Sequence, residues 1–179
     1  FGMTLNADSA LGTALPCLVA AGGPERAFAA TRSMTLTLSL HAAILRELGV
    51  DAAPLIAVLR QPVTPRVDRA VEQLVGCRAV IYSGRGVLQG VAEAAALGLM
   101  ELARMPAFAQ EGGQFQHGPL ETLGEGIGVV LFRPAGADAA GAQRLVDVSH
   151  AAGSPVVVYD VSGEAPIGDA VTVARPKAE

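Results

Sequence analysis

Arg78-Ala79-Val80-Ile81-Tyr82-Ser83-Gly84-Arg85-Gly86 carries an apolar run into a turn flanked by glycines. A short continuous apolar run ending in glycine predicts a strand buried on both faces. From Val87 to Ala103 the period changes: Val91, Ala95, Leu99 and Leu102 recur at helical spacing and are expected to share the buried face. Strand, tight turn and helix together open a parallel crossover unit. Working outward, Gly128–Phe132, Pro155–Tyr159 and Ala170–Val173 read as further buried strands. A second amphipathic helix is predicted from about Ala139 to Ala152, with Leu145, Val148 and Ala152 on one face. The alternation predicts an α/β fold, a three-layer parallel sheet flanked by helices.

The start of the chain echoes its end. Leu11-Gly12-Thr13-Ala14-Leu15 lies 156 residues before Ile167-Gly168-Asp169-Ala170-Val171, and each follows an apolar piece and a polar turn. This order suggests an internal repeat whose first copy lacks its opening strand, turn and helix. Residues 1–48 are therefore expected to be the tail of one domain, and residues 76–179 most of a second. Residues 49–75 carry Pro54, Pro62 and Pro65 and read as a broken helical connector.

The 179 residues are 51% hydrophobic, enough for a sizeable core, and only 4% aromatic, so Ala, Val and Leu must fill it. The net charge of −4, without a block of like charges, argues against a nucleic-acid footprint. The longest apolar runs, such as Ala52 to Leu59, are far shorter than the roughly 18 residues of a membrane span. Phe1-Gly2-Met3-Thr4 has no basic leader character. Cys17 and Cys77 sit among apolar neighbours and read as buried reduced thiols of a cytoplasmic protein. Cysteine and histidine nowhere show zinc spacing.

The chemistry-bearing residues follow the turn. Glu101 ends the helical run, and His117, sixteen residues later, opens His117-Gly118-Pro119. A positioned carboxylate can carry protons between neighbouring carbons, and an imidazole titrates near neutral pH. Ser83-Gly84-Arg85-Gly86 leaves backbone N–H groups at a helix start, where a phosphate can sit. These parts suit a phosphorylated sugar, for which neither metal nor organic cofactor is required because the substrate carbonyl delocalises the carbanion. Each residue also has a plainer reading: a solvated helix-end carboxylate for Glu101, a backbone-bonded loop side chain for His117, a structural turn for Ser83 and Arg85. His41 reads as a packed or interface residue and His150 as a solvent-facing or helix-end capping residue. Thr31, Arg32 and Ser33 start another helix, to about Leu48, where Ser or Thr caps the backbone. Gln89 stands where a dinucleotide fingerprint needs a third glycine, which argues against NAD.

Two segments resemble the SIS (sugar isomerase, flavodoxin-like) domain family in its tandem form. Gly22-Gly23-Pro24-Glu25-Arg26-Ala27-Phe28-Ala29-Ala30-Thr31-Arg32-Ser33 is similar to the Gly-Pro-Glu…Ala-(Ser/Ala)-Thr-Lys-Ser segment of a first domain. Ser83-Gly84-Arg85-Gly86, Glu101 and His117-Gly118-Pro119 resemble the Gly-Arg-Gly…Glu…His-Gly-Pro of a second. The resemblance implies a phosphosugar isomerase or aminosugar-phosphate deaminase, dimeric and cytoplasmic. Glu101 would be the enediol-forming base and His117 the ring-opening group, reaching a partner subunit's site. Thr31, Arg32, Ser33, Ser83 and Arg85 would line the substrate. Where catalytic members carry Ala-Leu-Lys-Leu-Lys-Glu, this chain reads Ala96-Leu97-Gly98-Leu99-Met100-Glu101. The Ser-rich phosphate loop of the first domain does not occur in it. These departures carry the alternative of a sugar-phosphate-binding module without catalysis.

Overall fold

The computed structural model describes residues 1–60, 64–134, 136, 139–168 and 170–174. The chain divides into two compact units, Phe1–Val63 and Thr64–Glu179.

In the first unit β1 (Gly2–Thr4) pairs in parallel with β2 (Cys17–Val19), and a one-turn helix, α1 (Ala10–Ala14), joins them. Ser9 caps that helix, its Oγ accepting from the Gly12 N–H at 3.1 Å. α2 (Arg32–Glu47) and α3 (Ala53–Arg60) follow. The expected hydroxyl cap of α2 is absent. Thr31 has helical rather than extended backbone angles and makes no side-chain capping bond. Glu25 does the work instead: Oε2 accepts from the Ser33 N–H at 2.9 Å, and Oε1 from the N–H groups of Arg26 and Ala27. Pro54 is the second residue of α3, where its missing N–H breaks no helical bond. Pro62, one of the expected connector breakers, lies outside the described residues. Cys17, expected to be buried, is only half-buried in this thin unit.

The second unit opens with α4 (Asp68–Leu74), which packs against the sheet. β3 (Ala79–Gly84), α5 (Val87–Ala103) and β4 (Ala107–Glu111) form a crossover. Two 3-10 turns, Gln114–Gln116 and Pro119–Thr122, lead to β5 (Ile127–Arg133). α6 (Ala139–Ala151), β6 (Val156–Asp160) and β7 (Val171–Ala174) complete the unit. All pairings are parallel, in the order β4-β3-β5-β6-β7. The predicted three-layer α/β sheet is therefore present.

Strand residues alternate between two cores. Ile81, Val129, Leu131, Val156 and Val158 meet Phe115, Leu145 and Val146 on the α6 side. Val80, Val130, Val157 and Val173 meet Leu74 of α4 and Leu99 of α5 on the other. The helical faces differ from the predicted ones. On α5 the sheet contacts Ala92 and Ala96, while Val91 and Leu102 are 45% and 67% exposed. On α6 Leu145, Val146 and Ser149 are buried, and Val148 is outside. Small alanines let α5 lie close to the sheet, and that closeness selects the face more strongly than side-chain size.

Candidate functional site

Parallel strands deliver the loops after β3, β4, β5 and β6 to one edge of the sheet. The chain order reverses between β3 and β5, the place where open α/β sheets form a crevice. A cleft lies there, lined among others by Arg85, Gly112, Gln116, Arg133 and Gly141, with room of only about 30 Å³. That is one water molecule's worth, too little for a hexose. Ser83 points to the same side of the sheet as Ile81. Its Oγ is fully buried and has no hydrogen-bond partner. Gly84 permits the tight turn, because a Cβ there would collide with the Leu88 carbonyl. Arg85 is half-exposed, with its Nε 3.8 Å from Glu111.

Residues that the sequence did not single out organise this edge. Glu111 accepts from the N–H groups of Gly113 (2.6 Å) and Gln114 (3.1 Å), which fixes the turn leading to His117. An acidic residue just before Gly112-Gly113 was the available signal. Arg133 is 5% exposed and donates to Asp160 (2.9 Å), to the Ala165 carbonyl (2.7 Å) and to Glu164. Burial pushes the Asp160 carboxyl up, but hydrogen bonds from Ser162 and Arg133, with the Arg133 charge, outweigh it and hold it below the usual range. Nothing in the local sequence marks Arg133 as buried.

His117 is exposed in the connection from β4 to β5; its backbone N–H donates to the Gln114 carbonyl at 3.0 Å, and its ring has no partner among the described residues. Glu101 is elsewhere. α5 runs back along the sheet from the end of β3 to the start of β4, so the last turn of α5 lies at the opposite edge. At 1.5 Å per residue Glu101 lies about 20 Å along the strand direction from the Ser83–Gly86 turn, and α5 packs on the face of the sheet opposite the one covered by Phe115 and Leu120, which flank His117. Glu101 is half-buried, and among the described residues its carboxylate accepts no hydrogen bond and forms no ion pair. An anion in a helix's last turn opposes the helix dipole by about 0.3–1 kcal/mol, so fold stability does not account for it. One copy of this unit does not bring Glu101 and His117 together.

In the first unit the Glu25 carboxyl is lowered to about 2, chiefly by the Ser33 N–H. Arg32 donates to the carbonyls of Gly22 (2.7 Å) and Pro24 (2.6 Å), so its guanidinium clamps the preceding loop. Thr31 and Ser33 sit at the start of α2. His41 is exposed and donates from Nδ1 to the Thr37 carbonyl at 2.8 Å, instead of packing. His150 is exposed in the last turn of α6. Among the described residues no cluster of His, Cys, Asp and Glu has the geometry of a metal site. No described helix is long and apolar enough to cross a membrane.

The chain belongs to the SIS domain family, whose match covers residues 73–168. It is 31% identical over 133 residues to the isomerizing glutamine–fructose-6-phosphate aminotransferase of Bartonella quintana, covering 63% of this chain and 21% of that protein. The Rhizobium leguminosarum protein of the same name is 28% identical over 130 residues, with the same coverage. The chain thus spans about a fifth of the length of these relatives. Among solved structures it superposes on tagatose-6-phosphate ketose/aldose isomerase from Escherichia coli with a TM-score of 0.74 at 20% identity, over 98% of this chain and 53% of that one. Glucosamine-6-phosphate deaminase from Thermotoga maritima gives 0.73 at 19%, over 96% and 54%. These likenesses extend the shared fold beyond the matched domain.

Proposed function

We propose that this chain is part of a cytoplasmic, homodimeric enzyme acting on a hexose or hexosamine phosphate by aldose–ketose isomerisation or deamination, through an enediol or enediolamine. The observation that carries the reading is Glu101, a half-buried carboxylate without a partner, set where it gives its own helix nothing. A free carboxylate suits a base that moves a proton between adjacent carbons. His117, exposed with an unengaged ring, opens the sugar ring in a site to which another copy contributes. Ser83 and Arg85 meet the substrate from the second domain, and Thr31, Arg32 and Ser33 from the first. Residues 1–48 act as the tail of a first SIS domain, 49–75 as a connector and 76–179 as the second. The parallel β1–β2 pair supports this tandem arrangement, because it repeats the local order of β6–β7.

Solvent deuterium incorporation into fructose 6-phosphate or glucosamine 6-phosphate, followed by NMR, tests the chemistry. Glu101→Gln should slow exchange about 10²–10⁴-fold while sugar-phosphate binding persists, and exchange at the wild-type rate would remove Glu101 as the base. A second reading, a binding module without turnover, is favoured by Gly98. A Cβ there meets no atom within 4 Å, so the fold does not require the glycine that stands in place of the family's lysine. Binding without exchange in the wild-type protein would select that reading.

A further inference from the structure

Residues 111–115 carry more construction than a surface turn needs. Glu111 ends β4, opposite Gly84 in the ladder, and the Gly112 N–H donates to the Gly84 carbonyl at 3.1 Å. From there the Glu111 side chain folds forward over its own turn. One carboxylate oxygen, Oε2, accepts from the Gly113 and Gln114 N–H groups, and the other, Oε1, lies 3.8 Å from Arg85 Nε. Both glycines serve this arrangement. A Cβ on Gly113 would stand 2.9 Å from Oε2, and one on Gly112 would stand 2.6 Å from Arg85 Cγ. Phe115 anchors the turn in the core, and Gln116 donates from Nε2 to the Gly112 carbonyl at 3.3 Å. The next residue is His117, whose exposed side chain adds nothing to that core. The carboxylate and the two glycines thus fix the direction in which the chain reaches His117.

We propose that Glu111 is a positioning residue: its carboxylate sets His117 through the backbone and holds Arg85 beside the same turn, so that two ligand-facing side chains share one support. The roles given to His117 and Arg85 rest on the proposed sugar-phosphate reading; the shared support does not. The two halves of the contact are unequal. The N–H bonds are charge-assisted, at 2.6 and 3.1 Å. The Arg85 contact is long and joins half-exposed groups, which solvent screens. A phosphorylated ligand therefore draws the guanidinium away while the turn stays in place. Successive backbone N–H groups of this kind form an anion seat, and Glu111 fills it from within. A ligand's phosphate is thereby directed to Arg85 rather than to the turn. Loss of Glu111 then acts on the step that needs His117, and loss of Arg85 on affinity.

NMR of the full 179-residue chain tests the support directly. In Glu111→Ala the Gly113 and Gln114 amides should exchange about tenfold faster or more, and the ring Cε1–H signal of His117 should shift. Core amides such as Val129 and Val158 should keep their protection. Glu111→Gln, which retains an acceptor oxygen, should restore most of both signals. Unmoved amides and an unmoved ring signal overturn the proposal. Faster amides with an unmoved ring signal overturn it as well, since Glu111 then holds the turn without setting His117. Turnover separates the two side chains. In deuterium exchange into cyclic glucosamine 6-phosphate, Glu111→Ala should lower kcat about 10–10²-fold with little change in KM, and should add nothing in a His117→Ala background. The 5-deoxy analogue of fructose 6-phosphate lacks the hydroxyl that closes the ring and should exchange at the wild-type rate. Arg85→Ala should raise KM instead. Additive losses, or an equal loss on the open-chain sugar, overturn the action through His117. A wild-type chain without exchange refutes the enzymatic reading alone, because the NMR signals still decide whether Glu111 sets His117.

Discussion

β1–α1–β2 in the first unit and β6, its loop and β7 in the second follow the same plan, yet they live in different surroundings. Both are parallel pairs, in register from Gly2 with Cys17 and from Val157 with Val171. β6 lies between β5 and β7, with helices over both faces, and Val157 and Val158 are 2% and 0% exposed. β1 has one strand neighbour, and in β2 Leu18 and Val19 are 41% and 47% exposed. An apolar cavity of about 460 Å³, lined by Leu18, Ile44 and Leu48, lies beside β2. Local order alone thus does not make a strand stable: two strands are marginal, and a covered multi-stranded sheet is not. Asp169, part of the repeat in the second unit, lies outside the described residues.

The contrast predicts unequal losses. Arg133→Ala should have the largest effect, about 3–5 kcal/mol, because it strands the buried Asp160 carboxylate. Tyr82 and Tyr159, the only tyrosines, both belong to the second unit, so tyrosine fluorescence in urea reads that unit alone. Next, Leu131→Ala should cost about 2–5 kcal/mol by the same measurement, since the side chain is 4% exposed in a packed core. Leu18→Ala, at the matching kind of position in the first unit, should stay within about 0.5 kcal/mol. Far-UV circular dichroism should also fall at lower urea than the tyrosine signal, as the first unit opens first. Coincident transitions would show that the two units are equally stable.

The smallest effect concerns pH. The Glu25 carboxyl is lowered from 4.5 to about 2 in the folded state. A depressed carboxyl stabilises fully above its unfolded value, and the contribution disappears as pH falls through the folded one. Amide exchange at Ser33 should therefore accelerate relative to the rest of α2 between about pH 4.5 and 2. Glu25→Gln should show weak protection of that amide already at neutral pH. Equal protection in the variant would show that another group holds the start of α2.

Much of the second unit was legible because its signals are local. Short continuous apolar runs marked β3, β5, β6 and β7 to within two residues, and the change of period at Val87 marked α5, whereas β4, with Gln110 and Glu111 at its end, was not read as a strand. The faces of α5 and α6 were not legible. Both helices carry apolar residues on more than one side, so the period is present while its phase is ambiguous. Glu101 and His117 stood out as residue types in sequence, but sequence separation says nothing of which sheet edge each occupies.

The amino-acid sequence by itself determined the order of β3, α5, β5, α6, β6 and β7 but not β4, the parallel α/β class, the Gly-Arg-Gly turn and the SIS resemblance, because these depend on local periodicity and steric need. Only the tertiary structure decided that Ala92 and Ala96 face the sheet, that Glu25 rather than Thr31 holds α2, and that Arg133 is buried between carboxylates. It also decided that Glu101, on α5, and the loop of His117 belong to opposite faces of the sheet. These are outcomes of packing between segments far apart in the chain, where burial, charge and distance are set by neighbours that no single stretch of sequence contains.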